Sequence, residues 1–427
     1  MSTPSAHEQL ILELVNRARL NPLAEAKRLG IDLNQGLAPG TISSSEKQPL
    51  AFNPFLNDAA DQHSQWMLNT DVFSHTGAGG SDPGGRMTGA GYVFSGSWTW
   101  GENIAWRGTT GSPDVESYAI ATHDGLFLSA GHRTNILNGN FREVGIGSLT
   151  GQFTYGGTAY NSLMTTQDFA ASGSARFISG VVYDDDDNDH FYSLGEGEGG
   201  VSVAIKSGST ALGSASSWAA GGYTLSTVAT GNLDVIFSGG GVSGAAEALI
   251  VMGSQNEKVD LVDFNTILSS ASTTISGAAI NLRLLGIQAI DGSGSGVNNT
   301  IVGNGAANDL AGLAGNDRLK GGGGNDDLNG GSGRDWLNGG FGNDTLAGGS
   351  GSDTFVFTGA FGNDRIGGFE DGADTIRLVD TAARAFTDLD ISGNGTSSVT
   401  VSVGSHSILV SAASPVTLTA GDFDFLV

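Results

Sequence analysis

The sequence predicts a multidomain α+β chain that ends in a parallel β-roll with further C-terminal strands. Three observations predict it. Helical apolar spacing marks residues 5–172, short alternating runs replace it over 175–265, and a nine-residue Gly/Asp repeat fills 309–353. A length of 427 residues exceeds one ordinary domain. The expected division is 5–172, 175–265, a linker over 266–296, and the roll over 297–427.

In the first segment, Ser5-Ala6-His7-Glu8 reads as a capping box, followed by Leu10/Leu14 and Ile11/Val15 four residues apart. Asn21-Pro22 reads as an N-cap with proline at the first helical position, and Gly30 as a stop. Asn53-Pro54 repeats the signature before a stripe of Leu56, Ala60, His63 and Met67. Residues 144–149 and 162–169 read as strands. From 175 to 265, alternation such as Val201, Val203 and Ile205 predicts half-buried strands and a small all-β sandwich. Residues 266–296 hold an apolar stretch at 280–290 and then Gly/Ser-rich linker.

In the repeat array, Asp317, Asp326, Asp335, Asp344 and Asp353 are spaced by nine. Asp309 precedes them by eight, so the first repeat is read as one residue short. Leu319, Leu328, Leu337, Leu346 and Phe355 share one phase. Each nonapeptide then makes a glycine turn and a short strand, two make one coil, and the apolar residue points inward. Calcium takes about six or more oxygens, which stacked turns supply as carboxylates and glycine carbonyls. Equivalent turns lie two repeats apart, so Asp317 should cooperate with Asp335, Asp326 with Asp344, and Asp335 with Asp353. Without the ion these aspartates repel, so folding of the array should be coupled to calcium.

The formal charge is -25, from 44 acidic and 19 basic residues, which argues against nucleic acid or anionic membrane as the main partner. The absence of cysteine removes disulfides and thiolate metal sites. No apolar run is long enough to span a membrane. The polar N-terminus shows no cleavable signal, so an export address is expected elsewhere.

A second acidic cluster has loop spacing. Counting from Asp185 as the first position, Asp187 is third, Asp189 fifth, Phe191 seventh and Glu196 twelfth. Those are calcium-ligand positions of an EF-hand loop, with Phe191 offering its carbonyl. His190 occupies the sixth position, where such loops carry glycine, and the flanks read as strands.

Three short constellations mark the first segment: Phe73-Ser74-His75, Gly101-Glu102-Asn103, and Gly131-His132-Arg133-Thr134-Asn135, the last followed by the string EVGIG. Two histidines and a glutamate can supply metal ligands or an acid/base pair. His63 and His123 read as structural, and Trp98, Trp100 and Trp106 as core or cleft wall. Gly101 and Asn103 are expected to shape a turn.

The repeat array resembles the RTX repeats of hemolysin-type calcium-binding proteins. The resemblance implies type I secretion from a Gram-negative bacterium through an uncleaved C-terminal signal, and folding outside the cell. The loop at 185–196 resembles that of the SdrD B-like β-sandwich domains of bacterial surface proteins. The three constellations together resemble bacterial members of the CAP superfamily (cysteine-rich secretory, antigen 5 and pathogenesis-related 1, or SCP-like, proteins). That resemblance implies an α-β-α sandwich with a cleft holding two histidines and two acids: His75, His132, Glu102 and, on a predicted helix eight residues before His132, Asp124. Zinc or magnesium is the metal expected at His75 and His132. The favoured expectation is a secreted calcium-binding protein whose cleft binds a small ligand, lipid or divalent metal. A calcium-stabilised hydrolase, including a protease, and a surface or matrix adhesin are the alternatives.

Overall fold

The computed structural model describes residues 2–426, which form two compact units. One holds the chain up to Leu233 with Phe237–Gly241 and Met252–Phe264; the other holds Asp234–Ile236, Val242–Val251 and the chain from Asn265 onward. Among the described residues no helix is long and apolar enough to cross a membrane.

The first unit opens as the sequence predicts. Helix Ala6–Leu20 begins at Ser5, whose backbone N–H donates to Glu8 Oε2 at 2.8 Å. Asn21 caps helix Pro22–Arg28 through Ala24, and Asn53 caps helix Pro54–Thr70 through Phe55 and Leu56. A four-stranded sheet runs in the order Ala51–Phe52, Glu143–Tyr155, Thr158–Ser172, Trp98–Thr109. The first pair is parallel and the other two antiparallel. Both expected strands are therefore longer than their apolar cores suggest. Leu56, Ala60, His63 and Met67 are all buried, as one helical face turned to the sheet requires.

Arg19 shows how tightly this layer closes. Fully buried, it donates to the carbonyls of Gln48, Ile136 and Asn138 at 2.8, 2.7 and 3.0 Å, and burial lowers its pKa to about 9. Arg19→Met would leave those carbonyls without donors, at a cost of about 2–4 kcal/mol. A lower thermal midpoint of the N-terminal unit in calcium is the expected reading.

Residues 175–265 are strand-rich, and most of them belong to the first unit. Strand Arg176–Tyr183 pairs antiparallel with Gly222–Thr227 and parallel with Glu257–Val262. Buried Lys258 joins Glu13 of the first helix, at 2.8 Å, to Asp260.

The second unit is a parallel β-solenoid. Successive strands alternate between two sheets, so strands two repeats apart are neighbours. One ladder aligns Leu310, Leu328, Leu346 and Ile366; the other aligns Ile267, Leu282, Ile301, Leu319, Leu337, Phe355 and Ile376. Each of these side chains is buried, so stacking makes a continuous core that no single repeat could form. The glycine turns pack closely. At Gly342 φ is +134° and a Cβ would lie 1.6 Å from the Gly324 carbonyl oxygen.

Residues 266–296 are not a linker. They contribute strands Thr266–Ser269, Thr273–Gly277, Asn281–Leu284 and Gly292–Ser293, which are the first rungs of the solenoid. Ile267, Ile275, Leu282 and Leu284 fill the core there, so the fold needs apolar spacing and not the Gly/Asp consensus. At the far end, Thr396–Val403 and His406–Val416 form an antiparallel hairpin against Asn363–Gly367. Strand Phe423–Leu426 pairs in parallel with Thr375–Val379. Val427, the last residue of the expected export tail, lies outside the described residues.

Candidate functional site

The aspartates of the solenoid form two columns. In one, the backbone N–H groups of Asn299, Asp317, Asp335 and Asp353 donate to Oδ1 of Asp317, Asp335, Asp353 and Asp374 at 2.7–3.0 Å. In the other, Asn308, Asp326 and Asp344 donate to Asp326, Asp344 and Asp364, each at 2.9 Å. This grip leaves the other carboxylate oxygen, Oδ2, of Asp317, Asp326, Asp335, Asp344 and Asp353 buried with no hydrogen-bond partner. Burial raises the pKa of each, to about 7 for Asp326. Glycine carbonyls close the same space: a Cβ on Gly330 would meet Asp335 Oδ2 at 2.3 Å and the Gly348 oxygen at 2.7 Å. A small cradle lined only by acceptors and carboxylates fits a hard divalent cation.

Asp309 does not join these columns. It is exposed, and its ladder partner is Asp327. Asn308, nine residues before Asp317, holds the aspartate position, so the first repeat is not short; an outward aspartate one residue later imitates the missing one. Asp364 and Asp374 do join, although insertions break the nine-residue spacing that would have exposed them.

In the 185–196 loop, carboxylate oxygens of Asp185, Asp187 and Asp189 lie within 4.8 Å of one another. Glu196 is buried and accepts from the Ser193 N–H at 2.7 Å. His190 takes φ +60° at the position expected to need glycine, and its Nδ1 sits 2.9 Å from Asp185 Oδ2. Phe191 donates its N–H to Asp189 Oδ1 at 2.7 Å.

In the N-terminal unit, Glu102 lies on strand Trp98–Thr109 with its side chain 1% exposed. Its Oε1 accepts from His75 Nδ1 at 2.7 Å, and its Oε2 from Arg86, which also donates to the carbonyls of His75 and Ser81 at 3.0 Å. The carboxylate fixes the proton on Nδ1, which leaves Nε2 of the 52% exposed His75 side chain as the free acceptor of the ring. His132 on helix Ala130–Ile136 has its pKa lowered by burial and then by the charge of His75. Asn135 Nδ2 holds that helix to the strand, at 3.1 Å from the Glu102 carbonyl and 2.9 Å from Asn103 Oδ1. Asn103 is thus a buried latch within a strand and not a turn residue. His63, also buried, bonds the Ser74 carbonyl at 2.9 Å beneath the site.

Asp124, expected as the second acid, is engaged elsewhere. It points to Arg28 on the opposite side of its helix and adjoins Glu25 and His123. Directly across from Glu102 on the neighbouring strand stands another acid, Asp168. Asp168 is fully buried, and burial, followed by the Glu102 charge, holds its pKa well above the usual carboxylate range. A cleft of about 410 Å3 begins at His132 and runs between this strand and helix Val115–Leu128, past Trp106, Arg107, Tyr118 and Thr122.

These two arrangements are those of known classes. Residues 12–169 match the model of the cysteine-rich secretory protein family, CAP. Residues 293–328, 302–337 and 320–355 match the RTX calcium-binding nonapeptide repeat. The chain carries a CAP domain followed by RTX repeats, and it is a calcium-binding protein of extracellular type. Among solved structures it is similar to an extracellular protein containing an SCP domain from Bacillus anthracis str. Ames, at 23% identity and TM-score 0.24, covering 39% of this chain and 44% of that one. It is also similar to the extracellular lipase LipA from Serratia marcescens, at 14% identity and TM-score 0.21, over 35% and 40% of the two chains. A third is the AlgE6R3 subunit of the Azotobacter vinelandii mannuronan C5-epimerase, at 25% identity and TM-score 0.16, over 31% and 80%. The chain spans less than half the length of the first two. No curated protein matches it.

Proposed function

We propose that this protein is exported by a type I route, folds its solenoid on extracellular calcium, and uses the CAP cleft as a non-enzymatic binding site. The observation that carries the cleft reading is the His75–Glu102 pair. A carboxylate on Nδ1 is the usual way to orient an imidazole so that Nε2 can bind a metal or a polar ligand. Both Glu102 oxygens are engaged by His75 and Arg86, so a zinc or magnesium ion would be held by His75 and His132 with positions left open for a small ligand. Asp185, Asp187, Asp189 and Glu196 form a separate candidate calcium loop. The strand ending at Leu426 would serve in export as part of an uncleaved tail.

The same His/Glu pair can act as a general base, which supports a hydrolase as the second reading. Calcium-loaded protein titrated with zinc separates the two. Binding that is lost in both His75→Ala and His132→Ala, with no hydrolysis of esters or peptides by the wild type, supports the binding reading. Hydrolysis that disappears in the same variants would replace it.

A further inference from the structure

The two aspartate columns end differently. Toward the N-terminus the column position passes to Asn308 and Asn299, and the chemistry inverts. An aspartate Oδ2 can only accept, whereas an asparagine Nδ2 donates. Asn299 Nδ2 donates to the Ile280 carbonyl at 3.0 Å, and Asn308 Nδ2 to the Ile290 carbonyl at 2.6 Å. Asn304 adds donations to the Leu285 and Gln288 carbonyls at 3.2 and 2.9 Å. Each amide thus reaches back to the preceding coil and joins two coils directly. The five buried Oδ2 atoms from Asp317 to Asp353 have no such partner. Toward the C-terminus, Asp364 and Asp374 take the same N–H grip as the repeat aspartates and are buried. At Asp374 the second oxygen is already closed off, because Oδ2 accepts from the Glu370 N–H at 2.8 Å.

We infer that calcium fills only the stretch of the stack from Asp317 to Asp364, reaching one position past the recognised repeats, and that asparagine amides take the ion's place in the coils of residues 266–311. The lower coils are then an ion-independent base. Calcium-dependent coils add to it in order, because each aspartate is gripped by the backbone of the coil before it. In a one-dimensional stack, a preformed neighbour removes the need to nucleate. The base gives the chain a starting point for folding as calcium becomes available, and Asp364, on the strand that pairs with the C-terminal hairpin, carries the ordering up to it.

Hydrogen–deuterium exchange on the full-length protein, in excess chelator and in calcium, tests this. The expected chelator profile keeps residues 266–311 protected and exposes 312–380. Loss of protection across both stretches, or protection of 363–380 without calcium, would overturn the inference. Asp364→Asn should reduce the number of calcium ions bound by full-length protein while residues 266–311 stay protected, and Asp374→Asn should leave the count as it is; an unchanged count in Asp364→Asn would overturn the C-terminal extension. Asn308→Asp sets a carboxylate against the Ile290 carbonyl, so exchange in chelator should rise over 281–302; wild-type protection there would overturn the amide lock. If a variant fails to fold, the wild-type profile alone still decides.

Discussion

In excess chelator at neutral pH the coils from Gly312 onward are expected to lose their structure, and acidification is expected to restore part of it. Five buried carboxylate oxygens would then face glycine carbonyls with no cation between them. An uncompensated buried charge costs on the order of 3 kcal/mol, so a few exceed the whole stability of an ordinary domain, about 5–15 kcal/mol. Protonation relieves the same strain. Asp326 and Asp364 titrate near 7 and Asp374 near 6 in the folded, ion-free chain, against roughly 3.9 when unfolded. A carboxyl with a raised folded pKa favours the folded state at low pH, and that contribution is lost as pH rises through the folded value. Ion-free protein should therefore gain β-structure as pH falls from about 7 towards about 4, while calcium-loaded protein should change little above pH 6 or so. Far-ultraviolet circular dichroism across that range, with chelator and with calcium, measures both. A chelated spectrum that is native-like at pH 7, or that loses structure on acidification within this window, would contradict the account.

The second large effect concerns the glycines of the EVGIG string. A Cβ on Gly145 would lie 2.1 Å from backbone atoms of Leu56 and Asn57, and one on Gly147 would lie 2.2 Å from those of Ala60 and Asp61. Strand Glu143–Tyr155 thus approaches helix Pro54–Thr70 so closely that only backbone fits between them. Gly145→Ala or Gly147→Ala must push the helix off the sheet, at about 3 kcal/mol or more. The melting midpoint of the CAP domain should fall on the order of 10 °C. Gly151→Ala is the control, because its Cβ would meet only the end of the Leu68 side chain, at 2.9 Å, which can turn aside. His63 rides on the displaced helix and bonds the Ser74 carbonyl, so the zinc binding proposed for the cleft should weaken in the first two variants. Equal midpoints for all three variants would show that the close approach is not what holds the layers together.

The sequence made the repetitive and local parts legible. The capping signatures at Ser5, Asn21 and Asn53 and the aspartate columns from Asp317 to Asp353 are short-range patterns, and each appears in the structure where its spacing places it. What escaped depends on long-range pairing. Asp168 meets Glu102 only because two distant strands pair antiparallel in that register, whereas Asp124 looked suitable on helical spacing until Arg28 claimed its far side. Asp309 misled because it sits one residue from the true column position, where an amide of similar shape stands. Asp364 and Asp374 were hidden by insertions that lengthen the turns without moving the strands out of register. The first rungs over 266–296 were missed because apolar spacing, and not the glycine consensus, builds them.

The hairpin after the last coil has a consequence of its own. A parallel solenoid would otherwise finish on a row of free backbone donors and acceptors, a template for the next molecule. Here one of the two sheets finishes on strand Asp390–Ser392, three residues long and antiparallel to the hairpin, and the other on Phe423–Leu426, four residues long. So short an edge can seat little of another chain. Edges this short leave little room for one solenoid to extend another strand by strand.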